Sequence, residues 1–273
     1  MKKITFALLF LMLLPVVLMA IDLNSPIVRS PHNLASWAPS IRNNVKVRAV
    51  SETEICKFCH LAHSASVEPL WGHRFSSAVY RLYSSPTLKS PRNQPDGGSK
   101  QCLSCHDGTV AIGGTLKGNI AVTGTDVDPQ GRLLATSSLY LGTDLQTAGA
   151  NTHLKHPISF AVSDTLIAAT QVNTWRLRPS RTVNGKYEID QYGPSSNEVY
   201  YPLKPTKYAH SDGTRNPNNT GMQCTTCHDA HDNTHGYFLR ESVNFDNYSC
   251  AHGGPSRGGF CYHCHEPQPP VIK

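Results

Sequence analysis

Cys56-Lys-Phe-Cys59-His60 is the first of four copies of one pattern, repeated as Cys102-Leu-Ser-Cys105-His106, Cys224-Thr-Thr-Cys227-His228 and Cys261-Tyr-His-Cys264-His265. Eight of the nine cysteines belong to it. Two cysteines three apart on a short helical turn reach the two vinyl groups of one porphyrin. The next residue then lies under the iron, where an imidazole nitrogen is a good axial ligand. Zinc ribbons also pair CxxC with CxxC, but they have no use for a histidine directly after the second cysteine. Redox dithiols of the thioredoxin kind come singly, on a βαβ framework that this sequence lacks. The pattern predicts four covalently bound c-type haems. Their thioethers would form at Cys56, Cys59, Cys102, Cys105, Cys224, Cys227, Cys261 and Cys264, with His60, His106, His228 and His265 as proximal iron ligands.

Composition explains why such cofactors are needed. Only 39% of the 273 residues are hydrophobic and 8% aromatic, while 20 Gly and 19 Pro favour turns. That is thin for a self-sufficient apolar core, yet 16% charge is too little for a disordered tail. Large apolar porphyrin plates would supply the missing core. The expected fold class is a multihaem cytochrome c: mostly irregular chain, short α-helices at the haem sites, a few small β-hairpins and a core of stacked haems.

The first residues read as an export signal. Lys2 and Lys3 precede an apolar run from Ile4 to Leu18, and Ala20 is the expected cleavage point. With Pro15 inside it, the run is short for a membrane span of about 20 residues. Residues 1–20 are thus expected to be removed, leaving 21–273 as an exported chain without a span. It would act outside the cell or at its surface, or alternatively in the periplasm. The net charge of +6 comes from scattered basic residues, without the clusters or aromatic interleaving that nucleic acid requires.

What faces each iron on its other side decides the chemistry. Met222 is the only methionine after residue 20, and its place two residues before Cys224 is poor for reaching the far face of that haem. Ten histidines lie outside the proximal positions. His63 and His231 each follow a proximal histidine by three. On a helix that spacing puts both rings on one side, so each would serve a different haem from its neighbour. His73 in Pro-Leu-Trp-Gly-His, His156 in Lys-His-Pro and His32 after Ser-Pro complete five distal candidates. His153, His210, His235 and His252 lie in polar, turn-rich sequence and read as surface residues. His263 lies inside an attachment loop. The supply favours two histidines on every iron and low potentials.

Motifs one and two start 46 residues apart and motifs three and four 37 apart. Between them lies a motif-free middle segment, 107–223. There Thr109–Ile112 and Ile120–Thr123 read as strands, and Asn184-Gly185 signals a two-residue hairpin. Cys250 is left over and suggests intermolecular pairing or a reactive thiol.

Several longer words carry a resemblance. These are Ser30-Pro-His32-Asn-Leu, Glu54-Ile-Cys56-Lys-Phe-Cys59-His60-Leu-Ala-His63, Pro69-Leu-Trp71-Gly-His73, Gln101-Cys102-Leu-Ser-Cys105-His106-Asp-Gly-Thr-Val, His156-Pro-Ile-Ser-Phe160 and Cys224-Thr-Thr-Cys227-His228-Asp-Ala-His231-Asp-Asn. In them the chain resembles the OmcE-like extracellular tetrahaem cytochromes that polymerise into conductive filaments, the cytochrome nanowires. The resemblance implies bis-histidine haems stacked as a close chain, and copies of the protein joined head to tail. A histidine of one copy can then complete a haem of the next, and other cytochromes serve as redox partners. Ala62 and Ala230 stand where relatives often carry proline. The Gly-rich stretch Gly253–Gly259 and the middle segment, read as an insertion altering contacts between copies, depart from the family pattern.

Three functions compete. The first is an exported tetrahaem electron carrier, not an enzyme, that forms a filament. The second is a periplasmic shuttle of the same chemistry. The third is a multihaem oxidoreductase, which needs an open iron and often a lysine in place of the last motif residue. All four motifs here end in histidine.

Overall fold

The computed structural model describes residues 22, 24–38, 46–62, 70–146, 156–171, 175–178, 180–183, 186–189, 203, 221–240 and 264–267. Each regular element in it is short. The first attachment motif sits on a 3-10 turn, Ile55–Phe58. The second closes helix α1, Gly97–His106. The third forms α3, Cys224–Cys227. Helix α2, Asp164–Thr170, lies between them and is capped by Ser163, whose Oγ accepts from the Leu166 amide. α1 stops because Asp107 caps it and Gly108 follows in the left-handed region at φ 71°. A side chain at Gly108 would also strike the Tyr140 ring at 2.5 Å.

All five sheets of the described residues are antiparallel pairs. β1 (Arg48–Ala49) pairs with β4 (Val122–Thr123), and β2 (Gly114–Thr115) with β3 (Gly118–Asn119). β5 (Phe160–Ala161) pairs with β9 (Gly221–Met222), and β6 (Trp175–Leu177) with β10 (His265–Pro267). β7 (Ser180–Val183) pairs with β8 (Lys186–Ile189). Val183 opposes Lys186, as a two-residue hairpin requires, although Asn184 and Gly185 lie outside the described residues. The strand expected at Thr109–Ile112 is instead a bent turn in which Ala111 makes one bridge to Arg132. Asp107 causes the bend, its Oδ1 accepting from both the amide and the hydroxyl of Thr109. Of Ile120–Thr123 only the last two residues join a sheet.

The middle segment packs partly on itself and partly on the fourth motif. Phe160 pairs with Met222 just ahead of Cys224, and Leu177 pairs with His265 itself. The buried apolar side chains of the described residues form three small clusters. One is Phe160, Val162, Leu166, Leu177, Leu203, Met222 and Cys264. The others centre on Val47, Ile112 and Leu133, and on Tyr80, Leu103 and Leu145. Met222 is buried in the first. Among the described residues no helix is long and apolar enough to cross a membrane.

Two-stranded sheets are marginal by themselves, so buried polar bonds matter. Tyr80 donates its hydroxyl to Asp107 Oδ2 at 2.6 Å, and both residues are buried. Burial and the Asp107 bond together push the Tyr80 hydroxyl pKa upward. Removing that donor leaves a buried carboxylate short of a partner. Tyr80→Phe is therefore expected to lower stability by about 1–3 kcal/mol in denaturant unfolding of the full chain.

Candidate functional site

Helices α1 and α3, which carry the second and third motifs, pack directly on one another. Gly98 makes the approach possible, since a Cβ there would lie 2.7 Å from Thr225 Oγ1. Gln223, just before α3, is buried and joins three segments. Its Nε2 donates to Asp96 Oδ1 at 2.8 Å, and its Oε1 accepts from the Ser99 amide and from Ser159 Oγ. The Cys224 amide donates to Ser99 Oγ.

This contact brings cysteines of different motifs together. Cys102 and Cys224 share a hydrogen bond, which with burial pushes the Cys102 thiol up. Cys59 feels Cys105, and Cys227 feels Cys264. Adjacency therefore follows motif order: first to second, second to third, third to fourth. No described cysteine forms a disulfide. Burial pushes Cys59, Cys105 and Cys227 up to about 12. Such thiols stay protonated and are poor redox dithiols.

The histidines are arranged more tellingly. His32 faces His106 with ring centres 6.2 Å apart, His231 faces His60 at 6.0 Å, and His156 faces His265 at 6.2 Å. Each pair joins one motif histidine to one non-motif candidate. Imidazole nitrogen binds a first-row metal at about 2.0–2.1 Å, which places two ring centres on opposite sides of one ion roughly 6 Å apart. Aromatic pairs also occur at such distances; the consistent crossing of motif with non-motif histidine is what distinguishes these three.

Their tautomers agree with that role. Nδ1 donates to the carbonyl of Leu139 in His106 (2.8 Å), of Tyr237 in His228 (2.8 Å), of Pro157 in His156 (2.7 Å) and of Ala230 in His32 (3.3 Å). A carbonyl can only accept, so Nδ1 carries the proton and Nε2 keeps the lone pair a metal needs. Burial, and next the nearby His106, lower His32 to about 4. Burial likewise lowers His156 and His228. Neutral imidazole is the ligating form. His156 is exposed.

His73 behaves differently. Fully buried, it donates from Nδ1 to the Arg74 carbonyl at 2.8 Å, while Nε2 lies 3.0 and 3.1 Å from the carbonyls of Ala111 and Ile112. Nε2 also lies 3.5 Å from Cys105 Sγ. The structure thus brings His73 to the second motif but not opposite a motif histidine. His63, Cys261 and Cys250 lie outside the described residues, as do His153, His210, His252 and His263. His235 is exposed. Among the described residues no histidine faces His228.

The helical reason given for His231 does not hold. α3 ends at Cys227, and His228 is already extended at φ −113°, ψ 141°. His231 reaches His60 from a turn in which its amide donates to Asp229 Oδ1. Sequence reading also missed Phe238, stacked on His32 at 4.0 Å, and Trp71, edge-on to His60 at 6.3 Å. Trp71 lies in a quoted word, whereas Phe238 is signalled only by the preceding Gly236.

The chain matches no protein-family model and no curated protein. The likeness to filament cytochromes therefore rests on the words quoted above. Because α1 and α3 meet across Gly98, Gly98→Val is expected to destabilise the protein by about 1–3 kcal/mol through overpacking, measurable as a lowered unfolding midpoint.

Proposed function

We propose that the chain is an exported tetrahaem c-type cytochrome that carries electrons through closely spaced bis-histidine haems. We extend the proposal to a role as the repeating subunit of an extracellular filament. The observation that carries the first part is the crossing of three motif histidines with three non-motif histidines at about 6 Å, with the Nδ1 protons of His106, His32 and His156 tied to carbonyls. Cys56 and Cys59, Cys102 and Cys105, Cys224 and Cys227, and Cys261 and Cys264 would each hold one haem. His60 with His231, His106 with His32, and His265 with His156 would ligate three of the irons, and His228 the fourth.

Bound haem supplies one reversible electron per iron. The polypeptide does the rest. Histidines on both faces exclude small molecules from the metal, which suits electron transfer and not substrate activation. The contact between Cys102 and Cys224 would bring the attachment points of two haems close together. Carbonyl-bound Nδ1 protons would keep His32, His106, His156 and His228 neutral and correctly turned.

The filament part rests on the resemblance, and on His228 having no facing histidine among the described residues. Its second ligand would come from His63 or from another copy of the chain. The same observation favours the rival oxidoreductase reading, in which that iron is open. Cyanide separates them: an electron carrier leaves its oxidised spectrum unchanged at neutral pH, whereas an open iron binds it and shifts. Electron microscopy of secreted protein should show ordered filaments; discrete particles would leave the carrier and remove the polymer.

Two measurements test the haem reading directly. Haem assay and intact mass should give four haems per chain, falling to three in Cys102→Ser/Cys105→Ser. Paramagnetic resonance should also resolve the ligand planes. Parallel axial imidazoles raise the same iron d orbital and split the pair strongly, whereas crossed planes cancel that splitting. The His60/His231 planes are 16° apart, the His32/His106 planes 54° and the His156/His265 planes 62°. The first iron should give a rhombic low-spin signal, and the other two more anisotropic ones.

A further inference from the structure

We infer that Phe238 is a positioning residue that sets the plane of His32, and through it the electronic character of the iron shared by His32 and His106. The inference rests on the haem reading above. His32 comes from an irregular segment, and its ring hydrogen bond, Nδ1 to the Ala230 carbonyl, is long at 3.3 Å. That bond fixes which nitrogen points at the metal but restrains rotation about the metal–nitrogen axis weakly. Phe238 supplies the missing restraint, since its ring lies 4.0 Å from His32 at 20° to its plane. Turning His32 would drive its edge into that face.

The backbone around Phe238 is built for this placement. Gly236, Tyr237 and Phe238 are all left-handed, at φ 77°, 50° and 57°. For a non-glycine residue this conformation is unfavourable, and it persists only where surrounding contacts over-determine it. Those contacts are present. The Phe238 amide donates to Asn233 Oδ1 and its carbonyl accepts from the Asp229 amide. His228 bridges to Leu239, and Arg240 donates to the Thr225 carbonyl while meeting Asp229 Oδ2 at 3.3 Å. The strained pair does two things: the Tyr237 carbonyl holds His228 Nδ1, and the Phe238 ring backs His32.

The test uses full-length, haem-loaded protein and low-spin ferric paramagnetic resonance with a redox titration. His32→Ala identifies which component belongs to the His32/His106 iron. Phe238→Leu removes the flat face, and Phe238→Asn does so with a residue that tolerates the left-handed backbone. Both are expected to shift or broaden that one component and displace its midpoint, leaving the rhombic His60/His231 component in place. Phe238→Tyr, which keeps the ring, should retain the parent spectrum. Unchanged spectra in Leu and Asn, or equal changes at every iron, would overturn the inference. Parent protein lacking four low-spin haem signals would instead defeat the haem reading, a result visible before any Phe238 variant is made.

Discussion

Gln223 joins three stretches of chain that are far apart in sequence, and the candidate site depends on that junction. Its amide takes a proton-donor role toward Asp96 and an acceptor role toward Ser99 and Ser159. A buried amide with every group satisfied rigidifies its surroundings, whereas one left unpaired destabilises them. Here the rigid point lies between α1 and α3, directly beside Cys102 and Cys224. Ser159, the third member, sits three residues beyond His156 and is itself left-handed at φ 57°. One side chain therefore sets the second motif, the third motif and the segment that carries His156 in a common frame.

Polar junctions of this kind carry weight because aliphatic packing is modest. The three apolar clusters are small, and no described sheet exceeds two strands. Tyr80 with Asp107, Ser137 with Asp126, and Gln223 with its partners all bury hydrogen bonds where a conventional domain would bury leucines. On the proposed reading the porphyrins fill the remaining volume. The exposed apolar side chains of Phe75 and Leu116, either side of the His73 segment, are then less anomalous than they look in the bare polypeptide.

The four Cys-X-X-Cys-His words and the Asn-Gly hairpin were legible in sequence because each is a local pattern. Five distal candidates were also legible, but not their partners, since pairing depends on tertiary approach. His231 shows the limit well: its assignment to a haem other than its neighbour's came from helical spacing, yet the chain there is extended and turned. His73 shows another. Its Trp-Gly-His word reads as a ligand, but in the fold both ring nitrogens face carbonyls. The pairing of Leu177, in the middle segment, with His265 of the fourth motif was not legible either. Such long-range pairings leave no short-range mark.

Carbonyl groups explain why so much of the site was invisible. Leu139, Pro157, Ala230 and Tyr237 orient four imidazoles through backbone oxygen, so their side chains carry no signature of the task. The loop between His228 and Arg240 concentrates this device. It contributes His228, presents His231 to His60, offers the Ala230 carbonyl to His32 and backs that ring with Phe238. Three motif histidines are thereby referred to one short loop. On the proposed reading, a relay between closely spaced centres would depend on their relative positions more than on any single ligand, and one loop that reaches three motif histidines would fix those positions together. Substitution of its side chains leaves the carbonyl bonds in reach, while a change in loop length or in the left-handed turn at Gly236 would disturb all three at once.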